Sequence, residues 1–400
     1  MPLSNTATTY GSVTRAFHWL TALLVITLIP VAVVANRLPY ETSEQLATKA
    51  WLFSLHKTLG VAVFAVALLR ILWAISQPKP SPLHHEKRMQ TFLAETAHWL
   101  LYGSLVLAPL SGWVHHAATE GFAPIWWPFG QNLPLIPKSE SVAAITYGLH
   151  WVFGKVMAAT IALHILGALK HQLIDRDATL ARMTRGATAG SPLSHTGAAK
   201  PAAAAVAIWA AVLAGAGAFG LYQPHASTVQ AATLDEVASD WAVQEGEIAI
   251  TVNQFNSDVT GRFADWTAAI QFDETADAGT AGNVETQIAI GSLTLGSVTD
   301  QAMGADYFNA ADFPTATFTA DLIRQTDGYV ADGTLTIKDQ SVPLTLPFTL
   351  DLDGDTARMQ AQTTLDRRDF GIGDNMTDES SLKFGVTVDI NLTATRAAPE

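Results

Sequence analysis

Five long apolar segments constrain this chain more than any other feature of its sequence. A membrane-spanning helix needs about 20 consecutive apolar residues. The segments that meet this requirement are Ala16–Ala35, Leu52–Ile75, Phe92–Val114, Val142–Leu169 and Ala202–Leu221. The sequence therefore predicts a membrane protein whose N-terminal part is all-α. Two alternatives stay open: the first segment could be a signal peptide cleaved after Ala35, and the last could be an Ala-rich linker.

Charge and histidine content divide the chain near residue 225. Up to that point there are 15 Lys and Arg against 8 Asp and Glu, and beyond it 8 against 28. All 12 histidines precede the division, so histidine-based metal or haem chemistry is confined to the first part. The acidic second part argues against nucleic acid as a partner, because phosphate binding needs a basic face. The absence of cysteine excludes thiolate-ligated clusters and thioether-attached haem.

Basic residues in the short loops predict the orientation in the membrane, because loops rich in Lys and Arg stay cytoplasmic. The loops after the second and fourth segments carry Lys79, Lys87, Arg88, Lys170, Arg176, Arg182, Arg185 and Lys200. Loops on the other side carry Arg37, Lys49 and Lys138. The N-terminus is therefore predicted to be cytoplasmic. Five spans would place the acidic part in the periplasm of a bacterium, beyond the inner membrane.

The second part alternates apolar and polar residues from about Leu234 onward, which is the pattern of β-strands. The clearest runs are Glu247–Val252, Thr286–Ile290, Thr315–Asp321, Gly333–Ile337 and Gly385–Leu392. Asp-Gly pairs at residues 327–328, 332–333 and 353–354 predict hairpin turns. An all-β antiparallel barrel or sandwich follows from this pattern.

Four histidines lie at two matched depths of the predicted spans. His18 is near the cytoplasmic start of the first, and His56 is near the periplasmic start of the second. His150 and His164 share the fourth span, and 14 residues of helix give about 21 Å of rise and nearly four turns, so both face one way. Intramembrane histidines are usually functional. Two haems, one between His56 and His150 and one between His18 and His164, are predicted.

Other polar residues near these levels have more than one interpretation. Arg15, Lys57 and Lys155 are candidate partners of haem propionates, or interfacial residues that extend toward water. His98 has no predicted partner at its depth and is expected beside a haem or a quinone.

Four further histidines receive no ligand role. His115 and His116 are expected to be solvated at the outer boundary, and His84 and His85 lie in a basic loop with no assigned role.

Three short sequence segments around the predicted ligand histidines are together similar to the bacterial cytochrome b561 family and to the b-type cytochrome subunits of hydrogenases. They are Arg15–Trp19, Ser54–Lys57 with Gly60, and His150 followed by His164, and the resemblance covers residues 8–186. It implies two haems b held by His18, His56, His150 and His164. It also implies electron exchange with membrane quinone and, in some relatives, superoxide oxidation at the periplasmic face.

Residues 232–397 resemble the YceI-like domain, a lipocalin-like barrel that binds isoprenoids or other long-chain lipids. The resembling segments are Val259–Phe263, Asp306–Phe308, Phe313–Phe318, Gly333–Ile337, Val342–Leu344 and Arg368–Gly373. An eight-stranded barrel encloses room for one ligand. The candidate lining residues, which could equally fill a core, are Phe255, Phe263, Phe308, Phe313, Phe318 and Phe370. Arg367 and Arg368 are candidate contacts for a polar head group.

The predicted fold class is thus a multidomain membrane protein with a four-helix haem bundle, a fifth transmembrane helix and a barrel. Its parts are residues 8–186, residues 187–231 with the fifth helix at 202–221 and a linker, and residues 232–397. The leading hypothesis is electron transfer between the quinone pool and an unknown periplasmic partner, with ubiquinone or another isoprenoid in the barrel. A superoxide:quinone oxidoreductase and a membrane-anchored lipid-binding or transport protein are the alternatives, so enzymatic activity stays open.

Overall fold

The computed structural model describes residues 2–84, 86–119, 121, 123–190, 199–223, 230–234, 238–276, 279–326 and 328–397. His85, Asp327 of one predicted turn and most of the predicted linker at residues 223–232 lie outside these ranges. The chain divides into two compact units. Unit 1 comprises Met1–Leu38, Trp51–Thr119 and Pro124–His225, and unit 2 comprises Pro39–Ala50, Glu120–Ala123 and Ala226–Glu400.

Unit 1 is built mainly from long helices, which contain the first four predicted apolar segments completely and the fifth as far as Ala218. The helices are α1 Ser12–Arg37, α2 Ser43–Ile75, α3 Arg88–Ala118, α4 Glu140–Lys170, α5 Thr179–Thr184 and α6 Ala199–Ala218. The first turns of α2, up to Ala50, belong to unit 2. A π-helical turn, His171–Asp175, continues α4. The buried core joins α1, α2 and α3 through Val25, Leu28, Val63, Ala67 and Leu105.

Four of the described helices are long and apolar enough to cross a membrane: α1, α2, α4 with its continuation to Asp175, and α6. The third predicted span forms helix α3 but is not among these four. Its mean hydropathy is lowered by polar residues such as His98, Ser104 and Ser111. By length and composition, four of the five predicted spans therefore meet the requirement for crossing a membrane.

Three hydroxyl side chains of α3 are buried and form hydrogen bonds within the helix itself. The hydroxyls of Thr96, Ser104 and Ser111 each donate to the main-chain carbonyl four residues earlier, at 2.8, 2.8 and 2.6 Å. Gly103 lets α6 approach, since a Cβ there would lie 3.2 Å from the Trp209 indole nitrogen. Helix α3 is thus packed among other helices despite its lower hydropathy.

Unit 2 contains one ten-stranded sheet in the order β3-β4-β6-β7-β8-β9-β10-β1-β2-β5. The strands are β1 Trp241–Gln254, β2 Ser257–Phe263, β3 Trp266–Phe272, β4 Gly279–Ala289, β5 Leu293–Thr294, β6 Thr315–Gln325, β7 Gly328–Ile337, β8 Gln340–Asp353, β9 Thr356–Asp366 and β10 Gly385–Arg396. A short helix, α7 Thr299–Met303, lies between β5 and β6. Every pairing is antiparallel, as predicted.

The sheet curls until its two ends approach each other. The amide of Asp240, just before β1, donates to the carbonyl of Ile270 in β3 at 2.9 Å. A bulge between Val243 and Glu245 bends β1, and bulges increase local twist. The lipocalin-like antiparallel fold is therefore confirmed, with ten described strands where eight were expected.

One of the predicted turns is wrong. Asp353-Gly354 does connect β8 to β9, and Gly354 has a φ of 59°. Asp332-Gly333 instead lies inside β7, because β6 passes so close that a Cβ on Gly333 would sit 2.0 Å from the Thr319 carbonyl oxygen. Glycine serves close strand packing there, not a turn.

The first turns of α2 belong to unit 2 and pack on the loop that precedes β10. Leu46 is 1% exposed and clusters with Tyr307, Met376 and Leu382. The Asn375 amide donates to the Glu41 carbonyl at 2.8 Å. Residues 39–50 are therefore an integral part of this unit's core.

Candidate cofactor and ligand sites

The bundle brings His56 of α2 and His150 of α4 together. Their ring centres lie 6.2 Å apart, with the rings nearly perpendicular. Nδ1 of His56 is 3.2 Å from the Leu28 carbonyl, and Nδ1 of His150 is 2.7 Å from the Ala108 carbonyl. A histidine whose Nδ1–H donates to a carbonyl has its Nε2 lone pair free for a metal. Both rings are held in this way.

A second pair forms at the other level of the bundle. The ring centres of His18 on α1 and His164 on α4 are also 6.2 Å apart. His98 of α3 lies 5.3 Å from the His164 ring, in an edge-on arrangement. His98 therefore lies beside this pair, because α3 packs directly against α4.

The spacing within both pairs suits coordination of a metal between the rings. Two imidazoles that ligate one metal from opposite sides, through bonds of about 2.1 Å, have ring centres roughly 6 to 6.5 Å apart. The distance of 6.2 Å fits this geometry at both levels. The 5.3 Å between His98 and His164 is too short for it. His18 is thus the better partner of His164.

Glycines leave room for a flat cofactor beside these histidines. Gly60 and Gly154 follow His56 and His150 by four residues, and residues four apart share a helix face. A Cβ built on either glycine meets no atom within 4 Å. Gly167, three residues after His164, is equally open. The donor set and these open faces fit a haem at each pair.

The three cationic candidates occupy different surroundings. Lys57 is buried at 7% exposure, next in sequence to His56. Lys155 is exposed, with its ammonium 5.2 Å from the centre of the Trp151 ring. The Arg15 guanidinium donates to the Thr184 carbonyl at 3.1 Å. Lys57 is therefore the one whose charge lies within the bundle.

His115 and His116 are not the solvated boundary residues that the sequence suggested. Both are partly buried, with ring centres 4.8 Å apart. Nδ1 of His115 is 2.9 Å from the Ala143 carbonyl. The end of α3 is covered by the start of α4, which accounts for their burial.

The curled sheet of unit 2 encloses a cavity of about 260 Å³ with an almost wholly apolar lining. Four of the six predicted phenylalanines line it: Phe263, Phe308, Phe318 and Phe370. The other two do not, which corrects that part of the prediction. Phe255 lies in the β1–β2 turn with a φ of 50° and packs on the Leu46 cluster. Phe313 lies in the loop before β6.

Sequence reasoning missed several lining residues, among them Trp241, Trp266, Phe272 and Phe348. Their alternating positions within β1, β3 and β8 were the available signal. Gln254 also lines the cavity at 4% exposure, and its side-chain oxygen has no hydrogen-bond partner among the described residues. The cavity therefore carries one buried polar acceptor.

Of the two candidate head-group contacts, Arg367 lines the cavity and Arg368 does not. Arg367 donates to the carbonyls of Ile372, Gly373 and Met376, so its guanidinium holds the preceding loop of β10 in place. Arg368 forms a two-pronged ion pair with Asp366. The hydrogen bond from Arg368 holds the pKa of the Asp366 carboxyl below its usual value. Both guanidiniums are thus engaged within the chain.

The fold and site together define a membrane-embedded helical bundle with two pairs of histidines, joined to a β-barrel with an apolar cavity. Residues 9–186 match the family model of prokaryotic cytochrome b561, and residues 225–395 match that of the YceI-like domain. The chain thus contains one segment that is similar to prokaryotic cytochrome b561 and one that is similar to the YceI-like domain. Haem binding and electron transport belong to the first family.

Two relatives illustrate the N-terminal match. Cytochrome b561 homolog 2 of Escherichia coli is 29% identical over 191 residues, which cover 46% of this chain and 95% of that protein. The probable superoxide oxidase CybB of Yersinia pestis is 26% identical over 175 residues, 44% of this chain and 94% of that protein. Among solved structures, BcnA of Burkholderia cenocepacia covers 38% of this chain and 96% of its own, with 28% identity and a TM-score of 0.35.

Proposed function

We propose that this protein is a bacterial inner-membrane di-haem b-type cytochrome that transfers electrons between the quinone pool and a periplasmic partner. The observation that carries the proposal is the repetition of one ligand geometry, since both histidine pairs have ring centres 6.2 Å apart. A haem b, when bound at each pair, supplies one-electron chemistry. Each histidine pair would hold its haem through two imidazoles, and a haem held in this way would supply electron transfer rather than oxygen binding.

The chain's own residues hold and orient the ligand rings. The Leu28 and Ala108 carbonyls fix His56 and His150. Gly112 lets α3 approach His150, since a Cβ there would lie 2.8 Å from the ring nitrogen. Lys57 and Arg15 are our candidates for contacts with propionates, while the exposed Lys155 suits an interfacial role.

We place the N-terminus in the cytoplasm and the YceI-like domain in the periplasm. The distribution of Lys and Arg among the loops supports this orientation. It requires α3 to cross the membrane with the four more apolar helices. The internally satisfied hydroxyls of α3 support that crossing, because a polar helix residue is tolerated in a bilayer when its hydrogen bonds are made inside the protein.

The barrel's ligand, in this proposal, is a long apolar molecule with one polar end, of the isoprenoid class that includes ubiquinone. The apolar lining supports the long chain of the ligand, and the unpartnered oxygen of Gln254 supports a hydroxyl donor at one end, which a quinol has and an oxidised quinone lacks. A buried acceptor without a partner costs free energy that such a hydroxyl would recover. Lipid extracts of the purified protein should contain this ligand, and Gln254→Leu should reduce its retention relative to the wild type.

Reduction by quinol tests the electron-transfer function. The purified full chain, oxidised and free of oxygen, should develop the reduced b-type haem spectrum when ubiquinol-1 is added. Dithionite gives the maximum for comparison. Haem that dithionite reduces but quinol leaves oxidised would contradict quinone as the electron partner. In that case a membrane-anchored lipid-binding protein becomes the better account if the barrel carries a lipid other than a quinone.

Superoxide oxidation is a second candidate, favoured by the similarity to a probable superoxide oxidase and by the buried charge of Lys57 beside His56. A cationic group attracts an anionic substrate. Each superoxide would give up one electron to become dioxygen, and two such electrons with two protons would convert one quinone to quinol. Rapid haem reduction by a superoxide source, abolished by added superoxide dismutase and slowed in Lys57→Met, supports this activity. Unchanged haem under superoxide discards it.

A further inference from the structure

A cluster of two histidines and a carboxylate lies outside the paired ligand sites, at the end of α4. His84 comes from the loop between α2 and α3, whereas His171 and Asp177 flank the π-helical turn after α4. One ligand atom from each of the three residues lies within 4.8 Å of the other two. Two separate chain segments thus converge on one point.

The carboxylate oxygen of Asp177 is the centre of this cluster. Its Oδ2 is 3.0 Å from Nε2 of His84 and 2.6 Å from Nδ1 of His171. Its Oδ1 accepts a hydrogen bond from the Thr179 amide at 2.8 Å. The hydrogen bond to Oδ1 therefore holds the carboxylate in place, and Oδ2 faces both imidazole rings.

The backbone just before Asp177 has an irregular conformation. The π-helical turn His171–Asp175 ends at Arg176, which has a φ of 52° and a ψ of 39°. The left-handed region is costly for a residue with a Cβ. This conformation reverses the chain, so the Asp177 amide donates back to the His171 carbonyl at 3.1 Å. Irregular helix turns and such outliers concentrate at functional sites.

Both ring nitrogens of His84 face carboxylate oxygens. Nδ1 of His84 lies 3.2 Å from Oε1 of Glu86, and Nε2 faces Asp177. An imidazolium donates to both carboxylates, whereas a neutral imidazole that donates from Nδ1 to Glu86 has its Nε2 lone pair available for a cation. A carboxylate on Nδ1 and a metal on Nε2 is the usual arrangement of a metal-bound histidine.

We propose that His84, His171 and Asp177 bind one divalent first-row transition-metal ion, with Zn²⁺ as the representative. Two imidazoles and one carboxylate are ligands that zinc accepts, while Mg²⁺ and Ca²⁺ prefer oxygen donors alone. Tetrahedral zinc with bonds of about 2.1 Å separates its ligand atoms by roughly 3.4 Å. The present spacings need to open by less than an ångström to admit it. Asp175, whose Oδ2 is 3.2 Å from Nδ1 of His171, is the nearest further oxygen donor.

The site would tie the loop before α3 to the end of α4. His171 follows the predicted haem ligand His164 by seven residues, about two helical turns. The metal therefore stabilises the arrangement of α3 and α4 at this end of the bundle. The three side chains are partly exposed, at 31%, 24% and 11%, so an ion can enter from solvent.

Zinc binding to the full chain tests this site. Protein purified in detergent and stripped with EDTA is titrated with zinc sulfate by calorimetry, and the zinc retained after gel filtration is measured by elemental analysis. The wild type should retain one equivalent, whereas His84→Ala and Asp177→Asn should lose it. Glu86→Gln should keep the stoichiometry with affinity reduced about 10- to 100-fold, as for removal of a metal ligand's hydrogen-bond partner. Magnesium chloride should give no binding.

A matched control distinguishes this cluster from other histidines. His115→Ala removes a histidine on α3 whose Nδ1 already faces a carbonyl, and it should retain the full equivalent of zinc. The elution volume of each variant reports whether it is folded. No zinc on folded wild-type protein overturns the site, as does equal binding by folded His84→Ala and Asp177→Asn. Loss of zinc in His115→Ala alone would assign the ion to α3 instead.

Discussion

Arg367 holds the loop before β10 in place through a single side chain. It is 3% exposed, and its guanidinium donates to the Ile372, Gly373 and Met376 carbonyls at 2.8, 2.5 and 2.6 Å. Arg367→Met should therefore destabilise the unit by about 3 kcal/mol or more, because the buried carbonyls lose their donors. Hydrogen–deuterium exchange of the β8 and β10 amides in the full chain measures this loss.

Arg368→Met is the matched control for Arg367. Its guanidinium is about half exposed and pairs with Asp366 two residues away. Exposed ion pairs contribute about 0 to 1 kcal/mol. We expect exchange rates close to those of the wild type. Equal effects of the two substitutions would refute the structural role assigned to Arg367.

At the residue scale, the histidine pairs could be predicted because helix geometry converts spacing directly into direction. Fourteen residues between His150 and His164 fix a shared face whatever the rest of the chain does. Phe255 and Phe313 could not be predicted in the same way, since each lies in a loop whose path depends on tertiary packing. His84 lacked any sequence signal, because its partners lie about 90 residues away.

The first turns of α2 form a structural element that the sequence did not reveal. Leu46 is almost fully buried in unit 2, whereas Leu72 on the same helix is 65% exposed. Leu46→Ala should destabilise unit 2 by about 2 to 5 kcal/mol through the cavity it leaves. Faster amide exchange in residues 371–384 would report this change. Leu72→Ala should leave that exchange unchanged, and identical behaviour of the two variants would contradict the packing described for Leu46.

The open glycine faces of α4 give a second prediction for a structural element. Gly154 follows His150, and Gly167 follows His164. Gly154→Leu should fill the space beside the first ring and remove the haem at the His56–His150 pair, while Gly167→Leu should remove the other. Haem content per chain, by the pyridine haemochrome method, should fall from two to one in each. Two haems in both variants would show that these faces do not border a cofactor.

Helices with a clear run of apolar residues could be predicted from the sequence, whereas features that depend on close packing between elements could not. The predicted apolar segments lie within helices, apart from the last three residues of the fifth, because an apolar run of about 20 residues has the length of a membrane-spanning helix. Helix α2 begins nine residues before its apolar run, since polar residues around Leu46 face unit 2. The dipeptide Asp332-Gly333 by itself predicts a turn. It lies inside β7 instead, because the neighbouring strand is too close for a residue with a Cβ at position 333.

At the scale of the whole molecule, the distribution of Lys and Arg among the loops predicts that the acidic domain lies in the periplasm. Protease added to intact spheroplasts should cleave the YceI-like domain and leave the bundle protected. The loop at residues 79–88 should become accessible only after the membrane is permeabilised. Cleavage in that loop in intact spheroplasts, with the domain protected, would reverse the topology and place the barrel in the cytoplasm.

The division of the chain into two units was evident from charge and histidine content alone. What composition could not supply is the assignment of residues 39–50 and 120–123 to unit 2, which depends on contacts between distant parts of the sequence. The ligand of the cavity likewise does not follow from composition, since an apolar lining selects a chemical class only.

The most direct test of the central claim is the reduced-minus-oxidised absorption spectrum of the purified full chain and two single variants. The wild type should show two b-type haems. His150→Ala should lose the one at the His56 pair and His164→Ala the one at the His18 pair, while His98→Ala keeps both. Folded wild-type protein without haem, or variants that each retain two, would contradict the assignment of His18, His56, His150 and His164 as the ligands.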